Sequence, residues 1–152
     1  MDLILWRHAH AEDMTASMHS DNERELTSKG KKQAALMALW LNEVLPFNCT
    51  ILVSPSQRTL QTAQALGRKF KIVDDIGTGS SADRILAACN WPDNHEPVLV
   101  IGHQPLLGEV VSTLIPEIQY APIRKGNVWW ISYKGTEEVF LKAVMSPELV
   151  VK

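Results

Sequence analysis

Leu3-Ile4-Leu5-Trp6-Arg7-His8 is the stretch whose reading decides the fold: four consecutive apolar residues running into a guanidinium and an imidazole. A strand that is apolar at every position is buried on both faces, as in the interior of a parallel sheet covered by helices. The pattern recurs twice. Ile51-Leu52-Val53 runs into Ser54-Pro55-Ser56-Gln57-Arg58, and Val98-Leu99-Val100-Ile101 runs into Gly102-His103. In open α/β sheets, ligands bind just beyond the carboxyl ends of the strands. If the three strands are neighbours, Arg7, His8, Arg58 and His103 meet at one place. Two guanidiniums and two imidazoles around one cavity suit a doubly charged oxyanion, phosphate above all.

Helical patterns separate the strands. Thr27 can cap a helix in which Ala34, Met37, Ala38, Leu41 and Leu45 recur at helical spacing, and Pro46 ends it. After the second strand (49–53), Ser54 reads as an N-cap, with Pro55 at the first helical position and Gln57 completing a capping box. That helix is expected to run through Leu60, Ala63, Leu66 and Phe70. Lys71-Ile72-Val73 is a short third strand, and Ser80 with Asp83 opens a helix to about Cys89. Residues 97–101 form the fourth strand, and Pro105 begins a helix with Leu106, Leu107, Val110, Val111 and Leu114 on one face. Residues 128–133 and 138–144 read as a hairpin joined by Lys134-Gly135-Thr136-Glu137. The polar stretch from His8 to Glu25 reads as a loop. This alternation predicts an α/β fold, a three-layer α/β/α sandwich with a mostly parallel central sheet and a late antiparallel hairpin. Residues 1–152 are expected to form a single domain.

Composition narrows the function classes. The 45% hydrophobic share fits a globular chain, and no apolar run approaches the roughly 20 residues that span a bilayer, so no membrane partner is expected. Four apolar residues before Arg7 are too few for a signal-peptide core of about 7–15. A net charge of −2 argues against nonspecific nucleic-acid binding. Cys49 and Cys89 read as buried free thiols, which together with the missing export signal implies a cytoplasmic compartment. Trp6, Trp40, Trp129 and Trp130 fall in predicted strands or helices and read as packing residues.

His8 is the candidate nucleophile, placed in an exposed loop. Imidazole with a pKa of about 6.5 is largely neutral near pH 7, and neighbouring arginines disfavour its protonation further. The same positive field stabilises the charge spread over a phosphoryl group in transfer. A strand-end histidine can also be held by backbone alone; Arg7 beside it and matching groups after two other strands favour the catalytic reading. His8 and His10 share a face on an extended segment and suggest a metal pair, with His19, His95, Glu12 and Asp13 as further donors. Arginines beside that pair would repel a cation, so no metal is expected.

Taken together, Arg7-His8-Ala9, Ser54-Pro55-Ser56-Gln57-Arg58-Thr59-Leu60-Gln61-Thr62-Ala63 and Gly102-His103-Gln104-Pro105 resemble the three motifs of the histidine phosphatase (phosphoglycerate mutase-like) superfamily. Arg24-Glu25-Leu26-Thr27-Ser28-Lys29-Gly30 resembles the segment before that family's first helix. The short length and the closing Met145-Ser146-Pro147 point to the SixA-type phosphohistidine phosphatases. The resemblance implies that His8 is transiently phosphorylated and that Arg7, Arg58 and His103 bind the phosphoryl oxygens. Arg24 adds a further contact. Water then hydrolyses the phosphoenzyme with no metal or organic cofactor. The implied partner is a phosphohistidine-containing protein such as a phosphotransfer domain, and the implied enzyme is a monomer.

The chain departs from the family pattern in two places. Ala9 stands where the usual motif has glycine, a change that SixA-like members tolerate. The carboxylate general acid found in many relatives has no good match: after the third strand stands Asp74-Asp75-Ile76-Gly77, and the chain leaves no room for a cap. Asp75 reads better as a turn residue than as an acid. An alkoxide leaving group needs protonation, worth about 10²–10⁴ in rate, whereas imidazole leaves a P–N bond more readily. Phosphohistidine is therefore the expected substrate, with a small-molecule phosphomonoester of the same superfamily as the alternative. A missing cap also implies an open site. Lys29, Lys31 and Lys32 stand near a helix start, where the dipole disfavours cations. They would rim that site and attract an acidic phosphoprotein, unless they are only a solvated helix face.

Overall fold

In the computed structural model, which describes residues 1–152, the apolar residues 3–6 have no exposed surface. They form the centre of β1 (Asp2–Arg7), which pairs in parallel with β4 (Val98–Gly102). On the far side of β4 lies β2 (Thr50–Val53), also parallel, followed by the short parallel β3 (Lys71–Ile72). The other flank of β1 carries β5 (Val128–Ser132) and then β6 (Phe140–Met145), both paired antiparallel. The six-stranded sheet therefore has the order β3-β2-β4-β1-β5-β6.

Successive side chains of a strand point to opposite faces, so each central strand feeds two cores. Ile4, Trp6, Ile51, Val53, Leu99 and Ile101 pack on one face with α1 (Ser28–Val44) and α2 (Gln57–Gln64). Leu3, Leu5, Leu52, Val98 and Val100 pack on the other with α3 (Ala82–Ala88) and α4 (Leu106–Leu114). Each fully buried aliphatic side chain contributes about 1.5–3 kcal/mol. The result is the expected α/β/α sandwich with its late antiparallel hairpin, and no separate cap domain is evident.

The helix caps differ from expectation for identifiable reasons. The N-cap of α2 is Ser56, whose Oγ accepts from the Thr59 amide at 3.3 Å. Ser54 is not available for that role, because its hydroxyl pairs with the His103 ring at 2.7 Å. This helix stops at Gln64 rather than continuing to Phe70, and Gly67 takes a left-handed φ of 67° in the turn toward β3. Ser81, not Ser80, caps α3 by accepting from the Arg84 amide at 3.2 Å. The expected loop before α1 contains a 3-10 turn over Asp21–Glu23. Thr27 caps α1 as expected, accepting from the Gly30 amide at 3.1 Å.

Gly30 allows α1 to press against the segment after β1. A Cβ built there would lie 2.0 Å from the His10 carbonyl oxygen. Helix propensity alone would favour alanine by about 1 kcal/mol. The backbone clash reverses that sign, and Gly30→Ala is expected to destabilise the fold by about 1–3 kcal/mol in urea denaturation. Gly79→Ala, which meets nothing within 4 Å, is the control and should stay within about 0.5 kcal/mol of the parent.

Candidate active site

Parallel pairing delivers the carboxyl ends of β1, β2 and β4 to one edge, and backbone bonds extend the ladders past the strands. The His8 amide donates to the Gly102 carbonyl and the Ser54 amide to the Ile101 carbonyl, each at 3.1 Å. The imidazoles of His8 and His103 consequently stand with centroids 5.5 Å apart, tilted by 57°. Arg58, in the first turn of α2, places Nη2 3.4 Å from His103 Nδ1. Arg7 is half-buried and donates through Nη1 to the Ile123 carbonyl at 2.9 Å. The Nε atoms of both arginines are buried without a partner. His8, Arg58 and His103 are only 5%, 2% and 4% exposed, so the expectation of an exposed His8 loop does not hold. The main chain around them is too thoroughly paired to lift away from the sheet.

Hydrogen bonding fixes the tautomers. His8 Nδ1 lies 2.8 Å from the Ala9 carbonyl, which can only accept, so Nδ1 carries the proton and Nε2 the free lone pair. Burial above all pushes the His8 pKa down to about 3; the Ala9 carbonyl opposes this, while His103, Arg58 and Arg7 add to the depression. Desolvation thus outweighs the neighbouring arginines that the sequence reading emphasised. His103 receives Arg58 Nη2 at Nδ1 and donates from Nε2 to Ser54 Oγ at 2.7 Å. Burial, then the Arg58 charge, pushes its pKa down to about 4. Burial also lowers the pKa of Arg7 and Arg58, yet a guanidinium stays protonated at any physiological pH. The site therefore combines neutral rings with permanent cations.

The structure adds residues that the sequence reading missed. Asp21 accepts from Arg58 twice, through its carbonyl at 2.8 Å and its Oδ2 at 2.7 Å. Its Oδ1 takes Arg24 Nε at 2.8 Å, so Arg24 reaches the site through Asp21 rather than by touching the histidines. Burial raises the Asp21 pKa, but the arginines outweigh it and the carboxyl lies below its ordinary value. The one available signal was Ser20-Asp21-Asn22-Glu23, a capping-box pattern that the 3-10 turn realises. Thr62 Oγ1 accepts from the Ala9 amide at 3.1 Å and donates to the Arg58 carbonyl at 2.7 Å, joining two motifs. Ala9 itself is fully buried in the core, so the extra methyl has room. Asp75 is committed to an exposed ion pair with Arg84 at 2.7 Å.

The His8 and His10 pair does not form a ligand set. His10 Nδ1 bonds Thr27 Oγ1 at 2.7 Å, and no cluster of three or more histidine, cysteine or acidic groups capable of holding a metal ion is present. Both cysteines are free, Cys89 buried and Cys49 half-buried, and burial pushes their pKa values up to about 12 and about 11. Such thiols are inert at neutral pH. No helix is long and apolar enough to cross a membrane.

The arrangement has counterparts among known proteins. The family model of the histidine phosphatase superfamily, branch 1, matches residues 3–77. The chain is 31% identical over 130 residues to phosphohistidine phosphatase SixA of Escherichia coli K12, covering 76% of this chain and 75% of that one. It belongs to the histidine phosphatase superfamily. A SixA homolog of Haemophilus influenzae is 29% identical with both chains fully covered. The structure of the protein histidine phosphatase SixA complexed with tungstate superposes with a TM-score of 0.82, at 25% identity and 97% coverage of each chain. The protein is thus a hydrolase with the phosphatase activity of its superfamily. Structures with the same fold also include small-molecule phosphatases, so fold alone does not choose the substrate.

Two measurements test this electrostatic picture. Both rings titrate in the fold well below their ordinary 6.5, at about 3 for His8 and about 4 for His103. The unfolded chain therefore binds protons below pH 6.5 that the fold refuses, and stability should fall as pH drops through that window. The limiting slope is about 1.4 kcal/mol per pH unit for each ring. Urea denaturation from pH 6.5 to 5, where carboxylates contribute least, should show His103→Asn removing about half of the slope; an unchanged slope contradicts the assignment. Asp21→Asn should tighten competitive inhibition by orthophosphate about tenfold, equivalent to about 1.4 kcal/mol, because it frees arginine donors for the incoming anion. Weaker inhibition would mean that Asp21 chiefly holds Arg58 in place.

Proposed function

We propose that this enzyme hydrolyses phosphohistidine on a protein partner through a phosphohistidine intermediate at His8. The observation that carries the choice of substrate is the state of Asp21. It is the carboxylate hydrogen-bonded to the site arginines, and they hold it ionised, which makes it a poor proton donor. An alkoxide would leave such a site slowly. A phosphohistidine whose distal nitrogen is protonated leaves as neutral imidazole and needs no acid at the scissile nitrogen.

In this reading the non-bridging phosphoryl oxygens lie on Arg7, Arg58 and His103, whose Nδ1 takes up a solvent proton as the dianion displaces Arg58 Nη2 from it, with Arg24 adding a contact as Asp21 yields its place. His8 Nε2 attacks phosphorus in line, the substrate P–N bond breaks, and its electron pair returns to the departing imidazole. The Nδ1–H bond to the Ala9 carbonyl keeps the His8 ring aimed throughout. Water then attacks the phosphoenzyme and the bond to Nε2 breaks with its pair returning to His8. The water proton passes to a phosphoryl oxygen, and inorganic phosphate is released. Guanidiniums fixed in a dry site stabilise the charge on the transferring group without reorganising. These residues complete the cycle with no metal or organic cofactor. Support for a protein substrate comes from the SixA relatives and from the lack of a separate cap domain over the strand ends.

Incubation with a radiolabelled phosphohistidine protein should trap acid-labile label on the parent enzyme and none on His8→Ala. Turnover should fall by roughly 10³-fold or more, as expected for loss of a nucleophile. Because His8 is buried, His8→Asn serves as a second variant, with circular dichroism confirming the fold. Comparable turnover of glycerol 3-phosphate and the phosphohistidine protein would overturn the substrate assignment, and label retained by both variants would overturn the intermediate.

A further inference from the structure

Arg7 also faces a cavity of about 500 Å³ with no hydrophobic residue in its lining. Lys29 from the first turn of α1 and Arg124 and Lys125 from the loop before β5 share that cavity with it. Glu148 is the one carboxylate in the lining, and none of these five charged groups takes part in an ion pair. A cation in the first turn of a helix is disfavoured by the dipole, so Lys29 stands there against its local electrostatics. Lys31 and Lys32, its neighbours in sequence, do not line this cavity.

The walls are built rather than loose. The Gly126 amide donates to the Arg7 and His8 carbonyls, both at 3.1 Å, and its carbonyl accepts from the Trp6 indole at 3.0 Å. Gly126 adopts a φ of 79°, where a Cβ would come within 3.0 Å of Pro147, so the turn that presents Arg124 and Lys125 requires glycine. Asn127 Nδ2 anchors the loop to Ser146 Oγ at 2.7 Å. On the opposite wall, Gln33 Oε1 accepts from the His10 amide at 2.9 Å. The loop thus carries its cations on backbone bonded directly to the residue that bears the candidate nucleophile.

We propose that this cavity is a second anion subsite, receiving the carboxylate of an acidic side chain that flanks the phosphohistidine of the partner protein. The proposal rests on the phosphoprotein reading above and names its selectivity. Arg7 would bridge the two anions, with Lys29, Arg124 and Lys125 as specificity residues that take no part in the bond chemistry. Unpaired cations around a polar cavity also raise the local concentration of an acidic partner, in a salt-dependent way.

The test uses the full-length triple variant Lys29→Glu/Arg124→Glu/Lys125→Glu, with the corresponding triple glutamine variant in case charge reversal impairs folding. Against a phosphohistidine protein, either variant should lose at least tenfold in kcat/KM, mostly through KM, and should show a shallower salt dependence. Against phosphoramidate, a P–N substrate with no second anion, both should stay within twofold of the parent. Parental kcat/KM on the phosphoprotein, or an equal loss on phosphoramidate, overturns the subsite. If the parent enzyme does not hydrolyse the phosphoprotein, the functional reading fails separately. The subsite is then read from 3-phosphoglycerate against glycerol 3-phosphate, which differ by one carboxylate: a lower KM for the former that the variants erase supports it, and equal KM values overturn it.

Discussion

Strand β4 lies between β1 and β2, and its parallel register sets Arg7 opposite Gly102 and Val53 opposite Ile101. Everything at the candidate site depends on that pairing. A slip of one residue would turn every core side chain to the wrong face, so hydrophobic burial on two faces enforces the register strongly. Because the ladders continue through the His8 and Ser54 amides, residues just past the strands are held almost as firmly as those within them. The apolar layers thereby supply the stability that keeps two guanidiniums and two imidazoles close together at one sheet edge.

Burial is also what sets the chemistry of that edge. It drives both imidazoles toward the neutral form while the arginines, with their far higher pKa, stay charged. The outcome is a lone pair beside fixed positive charge, the combination a phosphoryl acceptor needs. Asp21 balances part of that charge, gripped by Arg58 and Arg24. An arriving phosphate competes with Asp21 for those donors and binds by exchanging one set of charge-assisted hydrogen bonds for another.

Antiparallel β5 contributes from the opposite direction. Its amino end lies at the same sheet edge as the carboxyl ends of the parallel strands, and so brings the 124–127 loop next to Arg7. Lys29 arrives from α1, nearly a hundred residues earlier in the chain. Two polar regions that share Arg7 therefore draw on both the parallel and the antiparallel halves of the sheet. That geometry would let one substrate be held at two points, with phosphoryl transfer at one and recognition at the other.

Runs of buried apolar residues, the Thr27 cap and the groups at or just past the strand ends, Arg7, His8 and His103, could be read from sequence, because each depends on spacing over a few residues. Fold class followed from those local patterns together with the resemblance, and the structure brings Arg7, His8, Arg58 and His103 to one sheet edge as the strand pattern suggested. Other features depend on partners far along the chain. Ser54 serves His103 rather than its own helix, Asp21 bonds Arg58 across 37 positions, and Arg24 acts through Asp21. Burial of His8 and the pairing of Lys29 with Arg124 around one cavity belong to the same class. Sequence by itself determined the layers and named the candidate groups at the strand ends, since periodicity and capping are short-range. Tertiary structure alone decided which donor meets which acceptor and how dry each group is, because those distances exist only once the strand register has closed.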